Sequence, residues 1–360
     1  MNCKRYFFPL FYLPLIFATS TLLAQEQAFQ EHNSQLVSAS HQAMGTVFTV
    51  YLYAESPKSA APYFEAAFAE IDRLDATLST YRSTSELSRI NRLAGRSQVT
   101  TDPEVFTFLQ RAMGYSLQSD GAFDMTVGSL MRAWGFFRGE GRYPDIQELK
   151  RARRAIGWQH VVLDAKERTV RFTISGIELD PGGIGKGYAV ERVAELLREA
   201  GVKAGMINAG SSTIYGLGAP PDAKGWTVHV PRPGHVRESL STVTLRDQAL
   251  STSGSYGKFF RLNGTTYCHI MDPRTGVPVQ SMLQTTVITP SATDSDALST
   301  AIFVLGPDRG KKLLDSFPKT GALWLQGKDP NASKTISWHW PGDLNSSGER
   351  VQEFRQANMR

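Results

Sequence analysis

Cysteine is nearly absent: the 360 residues hold two, Cys3 and Cys268. Cys3 lies in a leader-like segment, so a processed chain keeps one thiol and no intramolecular disulfide. Stability outside the cytoplasm would then rest on the core, with Cys268 either buried or a reactive thiol. Low-complexity tracts and internal repeats are also missing, and apolar content is ordinary, enough for a sizeable core. The positive excess is small, +5 for the whole chain, and Lys4 and Arg5 supply two of those charges. The one basic run, Lys150, Arg151, Arg153 and Arg154, falls in a helical stretch opened by Asp145 and reads as a solvated face. No nucleic-acid partner is expected. The long apolar stretch, Tyr6 to Phe17, follows Lys4 and Arg5 and leads to small residues ending at Ala24. That is the pattern of an export signal over residues 1–24. Gln25 stands where a lipoprotein would present cysteine. The expected location is the periplasm or the outer face of the cytoplasmic membrane, with inner-membrane association if the signal is not cleaved.

Residues 25–39 are polar and aperiodic and read as a flexible lead; a domain over 40–340 and a tail over 341–360 follow, with a possible sub-domain boundary near 140–160 where Gly139, Gly141 and Pro144 punctuate the chain. Alternation predicts strands at 44–54, 160–164, 169–179, 205–209, 225–231, 241–245, 258–268, 284–289, 321–325 and 335–338. Helical spacing predicts helices at 62–78, 85–93, 103–118, 188–200, 294–305 and 307–316. Asp102, Pro103 and Glu104 form a cap, first-turn proline and first-turn acid, and Asn263-Gly264 marks a hairpin. Hairpins and helices come mixed, without regular alternation. The expected class is α+β, with mixed or antiparallel sheets and packed helices.

The most informative stretch is Asp180-Pro-Gly-Gly-Ile-Gly-Lys186-Gly, leading into an amphipathic helix. Four glycines in six positions bring bare N–H groups near a helix N-terminus, with a lysine among them, which suits a phosphate or pyrophosphate. Neither a P-loop nor the dinucleotide fingerprint fits, because Asp180 and Gly187 break the first and the glycine spacing breaks the second. A tight turn would account for one or two of the glycines.

Three other clusters carry chemistry. In Tyr267-Cys268-His269-Ile270-Met271-Asp272-Pro273, His269 can act as a base with Asp272 orienting it or helping to hold a cation, or it can be a strand-end histidine bonded to backbone. Cys268 points to the opposite face and is expected to be buried. Asp296 and Thr300 share a helix face and offer a carboxylate and a hydroxyl oxygen suited to Mg²⁺ or Ca²⁺, although capping explains the neighbouring Asp294. Gly121 to Leu130 sets Asp124 among aromatic residues and glycines, either to bind a planar ring or as a core cap. Asn208 to Ser212 and Leu250 to Tyr256 read as loops rich in small polar groups.

Met44-Gly45-Thr46, Gly121 to Gly128, Leu179 to Val190, His269 to Gly276 and Asp296 to Thr300 occur in this order. Together they resemble the ApbE family of flavin transferases, from about residue 40 to 306. The resemblance implies an ApbE-like (T-fold-like) α+β fold. It implies Mg²⁺-dependent transfer of the FMN half of FAD to a threonine or serine hydroxyl of an acceptor flavoprotein, releasing AMP. An exported enzyme would find that acceptor in a membrane electron-transport subunit. By motif it assigns Met44, Tyr81, Ala122, Phe123, Asp124, Asp180, Lys186 and Ile270 to FAD. Asp296, Thr300 and the carbonyl of Gly183 go to the metal, and His269 to the base, with Asp272 beside it. Pro181 replaces a common leucine, and Ser211-Ser212 replace glycine and asparagine. An FAD pyrophosphatase, a flavin-binding or delivery protein and a Cys268-His269 hydrolase stay open.

Overall fold

The computed structural model describes residues 34–344, apart from residue 140. The export signal and nearly all of the tail lie outside the described residues. An eight-stranded sheet forms the centre, in the spatial order Gln35–Ala43, Thr46–Ala54, Ala204–Ala209, Thr213–Gly218, Gln248–Gly254, Met282–Thr289, Gly321–Gln326 and Lys334–Trp338. Every pairing in it is antiparallel. The α+β expectation therefore holds.

Alternation along the strands explains the layering. In Gly321–Gln326, Ala322 and Trp324 enter the main core, whereas Leu323 and Leu325 enter a second one with Val228, Val230, Val243 and Leu245. Those last residues come from a small sheet, built around Trp226–Arg232 and His235–Leu245, that covers the far face. Because both faces are covered, all eight residues of Met282–Thr289 are buried. The helical layer is formed by Pro57–Leu78, Gly185–Glu199 and Ala292–Leu314, packed side by side, with the last of these against strands Gln248–Gly254 and Met282–Thr289. The main core draws on residues from both sides of 140–160. Among the described residues no helix is long and apolar enough to cross a membrane.

Several boundaries differ from expectation for identifiable reasons. The first strand begins at Gln35, inside the expected flexible lead, because Gln35 to Ala43 pair in register with Ala54 to Thr46. Met44 and Gly45 are not strand but the two-residue turn of that hairpin, both with positive φ (49° and 70°). Residues 250–254, expected in a loop, belong to the central strand Gln248–Gly254, and Thr213–Gly218 is a further central strand for which no element was expected. Their serines, threonines and glycines hydrogen-bond within the fold, as in the Ser251 to Thr213 contact of 3.0 Å. The helix expected from 188 begins at Gly185. The expected long strand at 169–179 ends at Phe172. The two helices expected at 294–305 and 307–316 are both present within Ala292–Leu314 and meet where expected, at Gly306, whose φ of 72° and ψ of 178° are not helical.

Candidate functional site

The glycine-rich segment does not act as an open backbone cradle. Gly182 N–H donates to Asp180 Oδ1 at 2.8 Å, and Ile184 and Gly185 N–H both donate to the Pro181 carbonyl at 3.0 and 2.7 Å. Gly187 N–H donates to Asp296 Oδ2 at 2.8 Å. Four donors that looked free in the sequence are thus engaged inside the turn, and charge must come from Lys186, now in the first turn of the helix. Asn91 clamps the segment ahead of this turn: its Nδ2 donates to the Leu179 carbonyl at 3.0 Å and its Oδ1 accepts from Leu179 N–H at 2.8 Å.

The glycines are explained by close approach. A Cβ on Gly187 would stand 2.3 Å from the Ala292 carbonyl oxygen and 2.5 Å from Asp296 Cβ; on Gly183 it would stand 3.2 Å from the Phe123 ring and 3.3 Å from Thr300 Oγ1. The turn is therefore pressed onto the helix that carries Asp296 and Thr300. Arg111 ties the same junction together by bonding both Glu191 and Asp294. Burial raises the Asp296 carboxyl above its usual range, with Lys186 and Gly187 N–H pulling it back. Burial likewise raises Asp180, opposed by Gly182 N–H, Lys258 and Lys186.

Gly183, Asp296 and Thr300 supply a carbonyl, a carboxylate and a hydroxyl on adjoining backbone, and Asp296 uses only Oδ2 for Gly187. Hard oxygen donors of this kind fit Mg²⁺, which commonly completes its shell with water and substrate phosphate. Among the described residues no three His, Cys, Asp or Glu converge as for a metal. A cation here would accordingly depend on one carboxylate, neutral oxygens and the bound substrate.

His269 follows the short strand Thr265–Cys268. Its N–H and its Nδ1 lie 3.0 and 3.1 Å from the Lys258 carbonyl oxygen. A carbonyl only accepts, so Nδ1 carries the hydrogen and Nε2 keeps its lone pair. Burial, with Lys186 and Lys258 nearby, pushes the imidazole pKa down to about 4. Lys258 was missed in the sequence, yet the Asn263-Gly264 turn could have located it: the hairpin pairs Leu262 with Thr265 and Phe259 with Cys268, so the next residues outward are Lys258 and His269.

Asp272 does not orient His269. Its two carboxylate oxygens bond Arg274 Nε and Nη2, each at 2.8 Å, and Oδ1 also accepts from Arg274 N–H at 3.0 Å. That chelate shapes the turn after His269. Asp124 is similarly occupied: Oδ1 accepts from Thr126 N–H and hydroxyl at 2.8 Å each, and Oδ2 from Trp158 N–H at 2.9 Å. Its carboxylate therefore organises the loop; Ala122 and Phe123 are both buried, and the Phe123 ring is the surface beside Gly183. Ile270 is buried directly after His269, and its carbonyl accepts from Val279 N–H at 3.0 Å. Met44 is partly buried on its turn, against the main core.

Beside Asp180 lies a cavity of about 240 Å³, lined by Thr80, Asn91, Arg132, Phe137 and Glu178 among others. Tyr81, 67% exposed, stacks on Phe137 with centroids 4.5 Å apart, and the Arg132 guanidinium sits 4.0 Å from the same ring. A ready aromatic platform thus stands near Asp180, whose charge helps raise the Tyr81 phenol, after burial.

Cys268 is 1% exposed, its Sγ faces the carbonyls of Ile270 and Val279, and burial pushes its thiol up to about 11. A thiol so placed is a poor nucleophile. We expect Ellman's reagent at pH 8 to leave Cys268 unreacted in the native protein and to titrate it on unfolding in guanidinium. Rapid native reaction would contradict this.

A profile of the ApbE family matches residues 44–324. The FAD:protein FMN transferase of Klebsiella pneumoniae (strain 342) is 33% identical over 282 residues, which cover 77% of this chain and 85% of that protein. The FAD:protein FMN transferase of Treponema pallidum (strain Nichols) is 30% identical over 298 residues, covering 78% and 82%. Among solved structures, the ApbE protein of Thermotoga maritima superposes with a TM-score of 0.76 at 28% identity, over 85% of this chain and 97% of that one. The apo form of Pseudomonas stutzeri flavinyl transferase ApbE gives 0.74 at 29% identity, over 85% and 95%. With most of its length matched in sequence and in fold, the chain belongs to the ApbE family of flavin transferases.

Proposed function

We propose that this protein transfers the FMN half of FAD to a threonine or serine hydroxyl of an acceptor flavoprotein and releases AMP. The observation that carries the reading is the seating of the turn 180–187 on the helix that bears Asp296 and Thr300: Gly187 N–H donates to Asp296 at 2.8 Å, and Gly183 lies against Thr300. Lys186 in that turn lies near enough to Asp180, His269 and Asp296 to shift all three, and a base, a cation and oxygen ligands are the groups that attack on a pyrophosphate requires.

The acceptor hydroxyl oxygen attacks the phosphorus of the FMN half, its proton passes to His269 Nε2, and the bond to the AMP phosphate breaks. The Lys258 carbonyl holds the imidazole in the tautomer that can take that proton. Bound pyrophosphate brings negative charge beside the ring and draws its pKa upward from about 4, which strengthens the base when substrate is present. Lys186 neutralises charge that builds on the phosphate oxygens. Asp296, Thr300 and the Gly183 carbonyl would hold Mg²⁺, which supplies Lewis-acid stabilisation of the pyrophosphate when bound. Tyr81 on Phe137 offers a face for a planar ring, and the cavity beside Asp180 offers polar groups to the rest of the dinucleotide. The leader expected over residues 1–24 supports a site of action in the periplasm or on the outer face of the cytoplasmic membrane. A membrane electron-transport subunit is the acceptor we propose.

Incubation with FAD, Mg²⁺ and a candidate acceptor tests this. Covalent flavin on the acceptor supports transfer; free FMN would mean a pyrophosphatase, and unchanged FAD a binding protein. Cys268→Ala is expected to transfer flavin within about twofold of the parent chain, and its inactivity would revive a thiol mechanism.

A further inference from the structure

Ser253, near the end of strand Gln248–Gly254, reaches the helix Ala292–Leu314 between Ser299 and Thr300. Its Oγ lies 2.8 Å from Ser299 Oγ and 3.3 Å from Thr300 Oγ1. Counting protons sets the direction of each contact, because a hydroxyl has one to give. Ser299 gives its own to the Asp296 carbonyl at 2.9 Å, so Ser299 Oγ accepts from Ser253. With its proton committed there, Ser253 Oγ is left as an acceptor, and Thr300 is the donor it meets. The competing acceptor for Thr300, the Asp296 carbonyl, is farther at 3.4 Å and already receives Ser299. A Thr300 proton turned toward Ser253 leaves the oxygen lone pairs for the side facing Gly183, where a Cβ would stand 3.3 Å from this same oxygen.

We infer that Ser253 is a positioning residue for the metal site: through the relay Thr300 to Ser253 to Ser299 it holds the Thr300 hydroxyl with a lone pair presented to the divalent cation. The relay is anchored, since Thr285 Oγ1 donates to the Ser299 carbonyl at 2.7 Å and Ser299 is fully buried. The inference rests on the proposed role of Thr300 as a metal ligand. Groups that orient ligands in this way commonly change metal affinity by about ten- to a hundredfold when removed.

The test is Mn²⁺ titration of the full protein, followed by electron paramagnetic resonance of the free ion in the presence of saturating FAD, with thermal unfolding in EDTA measured alongside. Ser253→Ala is expected to weaken Mn²⁺ binding about tenfold with little change in metal-free melting, and Ser253→Thr, which restores a hydroxyl, to recover most of it. If Ser253→Ala binds Mn²⁺ like the parent while Thr300→Val loses it, the positioning role is overturned and the ligand role stands. If Thr300→Val itself binds Mn²⁺ unchanged, the ligand role fails and the inference falls with it. Loss of melting temperature in Ser253→Ala at unchanged Mn²⁺ affinity would mark a structural hydroxyl only and would also overturn it.

Discussion

Replacing His269 with alanine is expected to lower covalent flavin transfer about a thousandfold, within the range for losing a general base, while FAD binding measured by flavin fluorescence stays within a few-fold. The alanine keeps the backbone N–H that bonds the Lys258 carbonyl, so the hairpin end is preserved and the loss falls on proton transfer. The pH profile makes the same point with the chain intact. In the folded protein the imidazole is depressed from the ordinary 6.5 to about 4 by burial and by Lys186 and Lys258. The neutral, competent form thus persists below pH 6, and kcat/KM for FAD should stay flat from pH 8 to about 5 and fall only as pH approaches 4. An inflection near 6.5 would mean that the ring is solvated as in a free histidine. Stability carries the matching sign. Between pH 6.5 and 4 the unfolded chain takes a proton that the folded chain refuses, so this group's contribution is complete above 6.5 and is lost as pH falls toward 4. Transfer surviving in His269→Ala would remove the base assignment.

Gly187→Ala is expected to damage both the fold and the candidate site. Alanine ordinarily favours a helix over glycine by about 1 kcal/mol, which would predict a gain inside Gly185–Glu199. The added Cβ, however, meets the Ala292 carbonyl oxygen at 2.3 Å and Asp296 Cβ at 2.5 Å, and neither is the end of a flexible side chain. The two helices must separate, which costs about 3 kcal/mol or more as overpacking, and the bond from Gly187 N–H to Asp296 is lost with it. Denaturant unfolding should show the drop in midpoint. Flavin transfer should be lost even at temperatures where the variant remains folded, because Asp296 moves relative to Lys186. A variant as stable and active as the parent would refute the close approach.

Much of this was legible in the chain as written. The 3.6-residue spacing and the Asp102-Pro103-Glu104 cap located Pro103–Gln118 to the residue, and Asn263-Gly264 located its hairpin. The reading failed where small polar residues were taken for loops. Ser251 and Ser253 lie in a central strand because the helix above them supplies hydroxyl partners, as Ser295 does for Ser251 at 2.6 Å and Ser299 for Ser253 at 2.8 Å. No local pattern announces a partner 44 residues away. Asp272 was misjudged for a different reason: three residues from His269 in sequence, it is taken by Arg274, two residues on, because the turn brings that guanidinium onto both carboxylate oxygens.

Residue type and order determined the chemistry on offer, namely a histidine, a lysine among glycines, a carboxylate and a hydroxyl one helical turn apart, and the thiol of Cys268. Those properties are local, set by side chains and by the period of the helix or strand that bears them. Only the tertiary structure decided which groups are free to act. It engaged the loop's N–H groups within the turn and with Asp296, withdrew Asp124 and Asp272 into turns of their own, buried Cys268, and left Nε2 of His269 unprotonated beside Lys186. The bond from Gly187 to Asp296 and the burial of Cys268 depend on how elements distant in sequence pack together, whereas Asp124 and Asp272 are held by residues two positions on, once each turn has folded.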